Sequence, residues 1–285
     1  MILDLLSTLI HLYCFCLFLR LLFHAPQEMF FNPMLAGIKR ITDPVLDFFI
    51  NKKIWKIRLN PWIPIMCFLL IKSLLYRSVL DSPISMSLQT AFMASVLEFF
   101  SFLYKTTLFM FWMVYSADRY HIYDDIFNVM ALICNKILSW IPLSRQPVSV
   151  RNHPPQAFAF LLILFFICFA IINAGILLLQ NAFQENIFKE LLRLLSFLPL
   201  KIIAAGILEM LALLPFFIFI RILISWFMPP VTRVLLLLHA ATEPILEPFR
   251  RLNLVVGMLD LSPLVAFFVL EILISFLNNL YNKFF

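Results

Sequence analysis

The run from Ala157 to Leu179, AFAFLLILFFICFAIINAGILLL, contains no charged residue and only one strongly polar one, Asn173. As a helix it is long enough to cross the hydrocarbon core of a bilayer, which takes about 20 apolar residues. A helix that is apolar all round belongs either in the core of a large protein or in lipid, and the rest of the chain decides between them. Hydrophobic residues make up 63% of the 285, charged residues only 13%, against roughly 25% charged in an average soluble protein. With 33 Phe and 4 Gly, polar surface is too scarce to cover a water-soluble body. The chain reads as an all-α, polytopic transmembrane protein.

Five further apolar runs flank that one: Ile2–Phe23, Trp62–Tyr76, Leu88–Tyr115, Ile202–Phe227 and Leu264–Leu280. About six spans are therefore expected, because in lipid only a helix satisfies its own backbone. The first is expected to be a span and not a cleaved leader: it opens with Asp4 in place of a basic segment, and no small-residue cleavage site follows. The net charge of +6 is read through orientation and not as a nucleic-acid signature. Thirteen Lys and Arg fall in the loops after spans one, three and five, against five on the other side (Arg77, Lys189, Arg193, Lys201, Lys283). The positive-inside rule then puts the basic loops in the cytoplasm and both termini outside.

A repeated order of residues appears at the two ends of the chain. Arg221 is followed 21 residues on by Thr242-Glu243-Pro244, then Arg250-Arg251, then Ser262-Pro263. Arg20 is followed 22 residues on by Thr42-Asp43-Pro44, then Lys52-Lys53, then Asn60-Pro61. Four inferred spans separate the starting helices of the copies, so the copies run parallel. Thr42 and Thr242 read as helix N-caps with proline in the first turn. Each would start a piece of about ten residues, too short to span, lying in the cytoplasmic interface with its basic end near anionic headgroups. Asn60-Pro61 and Ser262-Pro263 then launch spans two and six.

In its second copy the chain resembles the YggT family of small bacterial membrane proteins. The residues that carry the resemblance are Arg221, Ser225-Trp226, Thr242-Glu243-Pro244, Arg250-Arg251, Gly257, Asp260 and Ser262-Pro263. The first copy is degenerate: it lacks Ser-Trp and has Asp43 and Asn60 where the second has Glu243 and Ser262. The chain divides accordingly into an N-terminal degenerate repeat (1–80), a middle region with two spans and a cytoplasmic loop (81–200), and a C-terminal repeat (201–285). The resemblance implies a multi-pass protein of the bacterial inner membrane. Chloroplast relatives are linked to cytochrome assembly and nucleoid distribution, bacterial ones to osmotic or cation stress and to cell division. No biochemical activity comes with the family.

Charges inside spans are functional candidates by default, here Glu98, Lys105 and Glu209. The favoured reading is that they pair across helices; an ion or proton route is the sharper one. Glu243 with Arg221 or Arg251 forms a second candidate constellation, structural or lipid-binding. His11 and His239 lie in apolar runs and read as hydrogen-bonded residues, not as haem ligands. The five cysteines give no disulfide or zinc pattern, and no phosphate loop, zinc-protease motif or nucleophile elbow is present. No enzyme, metal or cofactor is expected. The expectation is an organising or assembly factor whose partners are the bilayer, anionic lipids at the cytoplasmic face and membrane proteins, with no nucleic acid. The alternative is a transporter or channel component in ion or osmotic homeostasis.

Overall fold

The computed structural model describes residues 2–23, 33–51, 62–79, 88–122, 124–139, 149–152, 154–180, 187–227, 232–252, 254–256 and 259–284. Among these the fold is all-helical: α1 (Ile2–Leu22), α2 (Pro33–Asn51), α3 (Trp62–Val79), α4 (Leu88–Arg119), α5 (Asp125–Leu138), α6 (Pro154–Gln180), α7 (Ile187–Phe227), α8 (Arg233–Arg250) and α9 (Ser262–Phe284). A two-residue antiparallel pairing, Val255–Val256 (β1) with Leu259–Asp260 (β2), joins α8 to α9. Five helices have stretches long and apolar enough to cross a membrane: Leu5–Leu22, Leu88–Arg119, Pro154–Gly175, Pro199–Ile224 and Ser262–Phe284. The sequence reading expects six. The apolar part of α3, Trp62–Leu75, is shorter than the other five.

The interfacial pieces are longer than the sequence reading allows, and the N-cap assignment at Thr42 and Thr242 is overturned. Both α2 and α8 begin nine residues before their threonine and run through Pro44 and Pro244 without interruption. Thr42 Oγ1 donates to the Ile38 carbonyl at 2.9 Å, and Thr242 Oγ1 donates to the Leu238 carbonyl at 2.7 Å. Mid-helix threonine commonly makes this backward bond. What outweighs the proline, which costs ~3 kcal/mol or more inside a helix, is a continuous apolar face. In α8 it is Leu235, Leu238, Thr242 and Leu246, all buried; in α2 it is Leu35, Thr42 and Leu46. That period starts well before the Thr-acid-Pro step, and Pro33 at the head of α2 is the better start signal.

The chain forms two compact units, residues 1–103 with 169–195, and 104–168 with 196–285. In the first, α1 packs on α3 and α2, and α2 on α3. Cys14, Leu17, Ile65 and Leu69 make its dry centre. Phe18 meets Trp62 edge-on at 6.4 Å, and Tyr13 meets Phe68 edge-on at 5.1 Å.

In the second unit, Leu214 and Ile218 of α7, Leu246 of α8, and Ala266, Leu270 and Ile274 of α9 form one core. Met113 and Ala117 of α4, Phe127 of α5, and Ala240 and Ala241 of α8 form another. A glycine decides how closely α7 meets α4. A Cβ on Gly206 would sit 2.4 Å from the Tyr104 ring, whose hydroxyl donates to the Ile203 carbonyl at 3.2 Å. Asp125–Leu138 forms α5. Asp124 caps it by accepting from the Ile126 amide at 3.0 Å, and Phe127, Ala131, Cys134 and Leu138 bury one face.

Candidate functional site

The site is built where α7 meets α8. Arg221, on α7, is buried to 7% exposure, and a guanidinium withdrawn that far must be paired. Its Nη1 donates to Thr242 Oγ1 at 2.6 Å and lies 2.9 Å from Glu243 Oε2. Its Nη2 lies 2.9 Å from His239 Nδ1. Glu243 also takes Arg250 from two turns further along α8. Residues 239, 242, 243 and 250 share a helix face because they are three, four and seven apart. The Thr242 hydroxyl is fully used, donating backward to Leu238 and accepting from Arg221.

Electrostatics make Glu243 the centre. Burial alone would raise its pKa. The His239 hydrogen bond and the charges of Arg221 and Arg250 overcome that and hold it at about 2. Its Oε2 is buried between two neighbours, Arg221 Nη1 at 2.9 Å and His239 Nδ1 at 3.5 Å. The constellation pairs Glu243 with Arg221, as one branch of the sequence reading has it. The other branch is corrected: Arg251 goes to Glu247, which also accepts from the Tyr120 hydroxyl at 2.5 Å and lies 3.6 Å from Arg119. The Tyr120 hydrogen bond, then Arg251 and Arg119, hold Glu247 below the usual carboxylate range.

The proline at 244 leaves the Ala240 carbonyl without its amide donor. One residue on, the Trp112 indole of α4 donates to the Ala241 carbonyl at 2.9 Å. Ser262 is buried at the start of α9, with Pro263 beside it. Gly257, Asn60 and Pro61 lie outside the described residues, as do the side chains of Ser225, Trp226 and Asp260.

The first unit holds a pair at the matching place in its own sequence. Arg20 Nη2, on α1, lies 3.2 Å from Asp43 Oδ1, on α2. Thr42 beside it is fully buried. Its Oγ1 donates backward as Thr242 does, and Pro44 follows inside the helix.

Two further ion pairs lie within the apolar helices. Lys105 and Glu209 form an ion pair. Glu98 pairs with Lys72, which is 1% exposed and whose Nζ also lies 2.8 Å from His11 Nε2. The sequence reading passed over Lys72, although it sits inside the run Trp62–Tyr76 and was open to the same test as Lys105.

Apolar helices of membrane length, with charges that meet one another, define an integral membrane protein of the polytopic helical class. Within it, the CCB3/YggT family model matches residues 200–281. An uncharacterized protein of Haemophilus influenzae is similar, 36% identical over 63 residues, covering 22% of this chain and 35% of the relative. The chain thus spans about a third of the length of the curated relative it matches. No solved structure matches.

Proposed function

We propose that the protein is a non-enzymatic organising or assembly factor of the bacterial inner membrane, built from two parallel copies of one module joined by a middle region. Each module is a span whose closing arginine clamps an amphipathic helix at a Thr-acid-Pro step. The observation that carries this reading is the pair of clamps, Arg20–Asp43 and Arg221–Glu243, set at matching intervals in the sequence. An ion pair between two elements fixes one against the other without calling for a substrate.

The clamped helices present cations. In the ion pairs that α8 makes, five arginines (Arg119, Arg221, Arg233, Arg250, Arg251) meet three acids (Asp124, Glu243, Glu247). The excess favours anionic headgroups or acidic partner proteins at the cytoplasmic face. In this reading the short helix α3 crosses as well, giving six crossings with both termini outside. Binding to vesicles with and without anionic lipid tests the lipid arm. Charge-selective binding that is lost in the Arg250→Gln, Arg251→Gln double variant supports it, and unchanged binding refutes it.

A second reading rests on Lys72, a cation held among apolar helices by His11 and Glu98. Such residues mark ion or proton routes, as in a transporter for ion or osmotic homeostasis. Ion flux in liposomes containing the pure protein supports this second reading, and a stable co-purifying partner without flux supports the first.

A further inference from the structure

One ionisable group in an apolar helix takes part in none of the networks above. Glu271 is the tenth residue of the 23-residue helix α9, near its middle. The helix turns Ala266, Leu270 and Ile274 into the core. Its other side is open: Leu264, Phe268, Ile272 and Phe276 are 49 to 70% exposed. Along that open side Glu271, Ser275 and Asn279 stand four residues apart, all exposed, and line a shallow cleft of about 480 Å³ with Ile272 and Phe276. Among the described residues, none of the three meets a side-chain hydrogen-bond partner.

If α9 crosses the bilayer, as the reading above holds, this arrangement is costly. A carboxylate at the centre of a membrane helix is expensive and calls for a partner. A glutamate near mid-helix is too short to reach the headgroups from there. A hydroxyl and an amide on the same line add unmet hydrogen-bonding capacity facing lipid.

We propose that Glu271, Ser275 and Asn279 form a helix-pairing surface, and that its occupant is α9 of a second copy of this chain. Two copies inserted the same way meet by two-fold symmetry, so each residue faces its own counterpart at equal depth. The Ser275 hydroxyl and the Asn279 amide suit that arrangement, because each both donates and accepts and can therefore meet its own counterpart. A foreign helix would need a complementary polar pattern at the same four-residue spacing; a second copy carries it by definition. Ser275 at the centre is small enough for close backbone approach. Phe268, Ile272 and Phe276 flank the line and seal it from lipid.

The experiment uses the full chain. Two differently tagged copies are co-expressed, membranes are isolated, and co-purification is measured in mild detergent. Disulfide trapping in intact membranes is run in parallel on Ser275→Cys and on Ala266→Cys, with the five natural cysteines replaced. The expected result is co-purification of the two tags and trapping at position 275 but not at 266. The Glu271→Leu, Ser275→Ala, Asn279→Leu triple variant should lose at least tenfold of the co-purification while remaining in the membrane fraction. Should the cysteine-free variants fail to accumulate, the tag experiment with natural cysteines still decides. Unchanged co-purification in the triple variant, single copies by photobleaching in dilute vesicles, or capture of a different membrane protein through the stripe would each overturn the proposal. Recovery of the wild-type chain in the soluble fraction would instead sink the membrane reading beneath it.

Discussion

Arg221 and Thr242 begin a one-way chain of hydrogen bonds: the guanidinium donates to the hydroxyl at 2.6 Å, and the hydroxyl donates to the Leu238 carbonyl at 2.7 Å. The bond joins a span to a helix 21 residues further on. Arg221→Ala should therefore cost the second unit about 2–4 kcal/mol, because it takes the cation from the buried Oε2 of Glu243 and leaves only Arg250 on the other oxygen. Thermal unfolding in detergent measures this. Arg221→Met combined with Glu243→Gln should cost clearly less than the sum of the single changes. Strict additivity would show that the two side chains do not interact.

Acid should loosen the same clamp. The folded-state pKa of Glu243 is held at about 2, below its ordinary value of 4.5. A depressed carboxylate contributes stability that is complete above the unfolded value and drains away as pH falls toward the folded one. The loss should run between about pH 4.5 and pH 2 and amount to order 3 kcal/mol. Glu243→Gln should flatten that part of the stability profile. A profile that keeps its full slope in the variant would assign the acid sensitivity to other groups.

Lys72 and Glu98 should show coupling. Lys72→Met removes a buried cation and leaves Glu98 and His11 facing an apolar gap; adding Glu98→Gln should restore about 1–3 kcal/mol of what the first change loses. A double-mutant cycle on thermal stability reads this directly, and zero coupling energy would break the pairing account.

Gly206→Ala should destabilise the second unit by about 1–3 kcal/mol through overpacking. The added methyl lands 2.4 Å from the Tyr104 ring, which is 1% exposed and has nowhere to retreat. Pairing the change with Tyr104→Leu should recover much of the loss. A neutral Gly206→Ala variant would show that the two helices separate at no cost.

Trp112→Phe keeps the aromatic bulk and removes one donor. It should cost about 1 kcal/mol, the net worth of one hydrogen bond, because the Ala241 carbonyl then loses the indole.

Composition carried the fold class without ambiguity, since 63% hydrophobic residues leave no soluble solution for a chain of this length. The clamp was half legible. Glu243 and Arg221 stood out as a pair, but the assignment of Arg251 to Glu243 failed because helical spacing favours Glu247, four residues away. The threonines misled for a definite reason. Thr-acid-Pro is the composition of a helix start, and only the apolar period running through it from Leu235 and Leu35 shows that the helix is already under way. Glu271 and Lys72 were both visible as letters. Their environments were not, because burial and exposure within a span depend on which neighbours the helix meets.

The helix that carries Thr242 stays whole across two prolines, and that has a mechanical consequence. A coil severed at Pro244 would leave Arg250 on a tether, free to swing. An unbroken one, bolted by an indole on one side and a guanidinium on the other, is a lever arm. Whatever pulls on its far tip is carried back to Arg221 on α7, through the Thr242 hydrogen bond and the Glu243 ion pair.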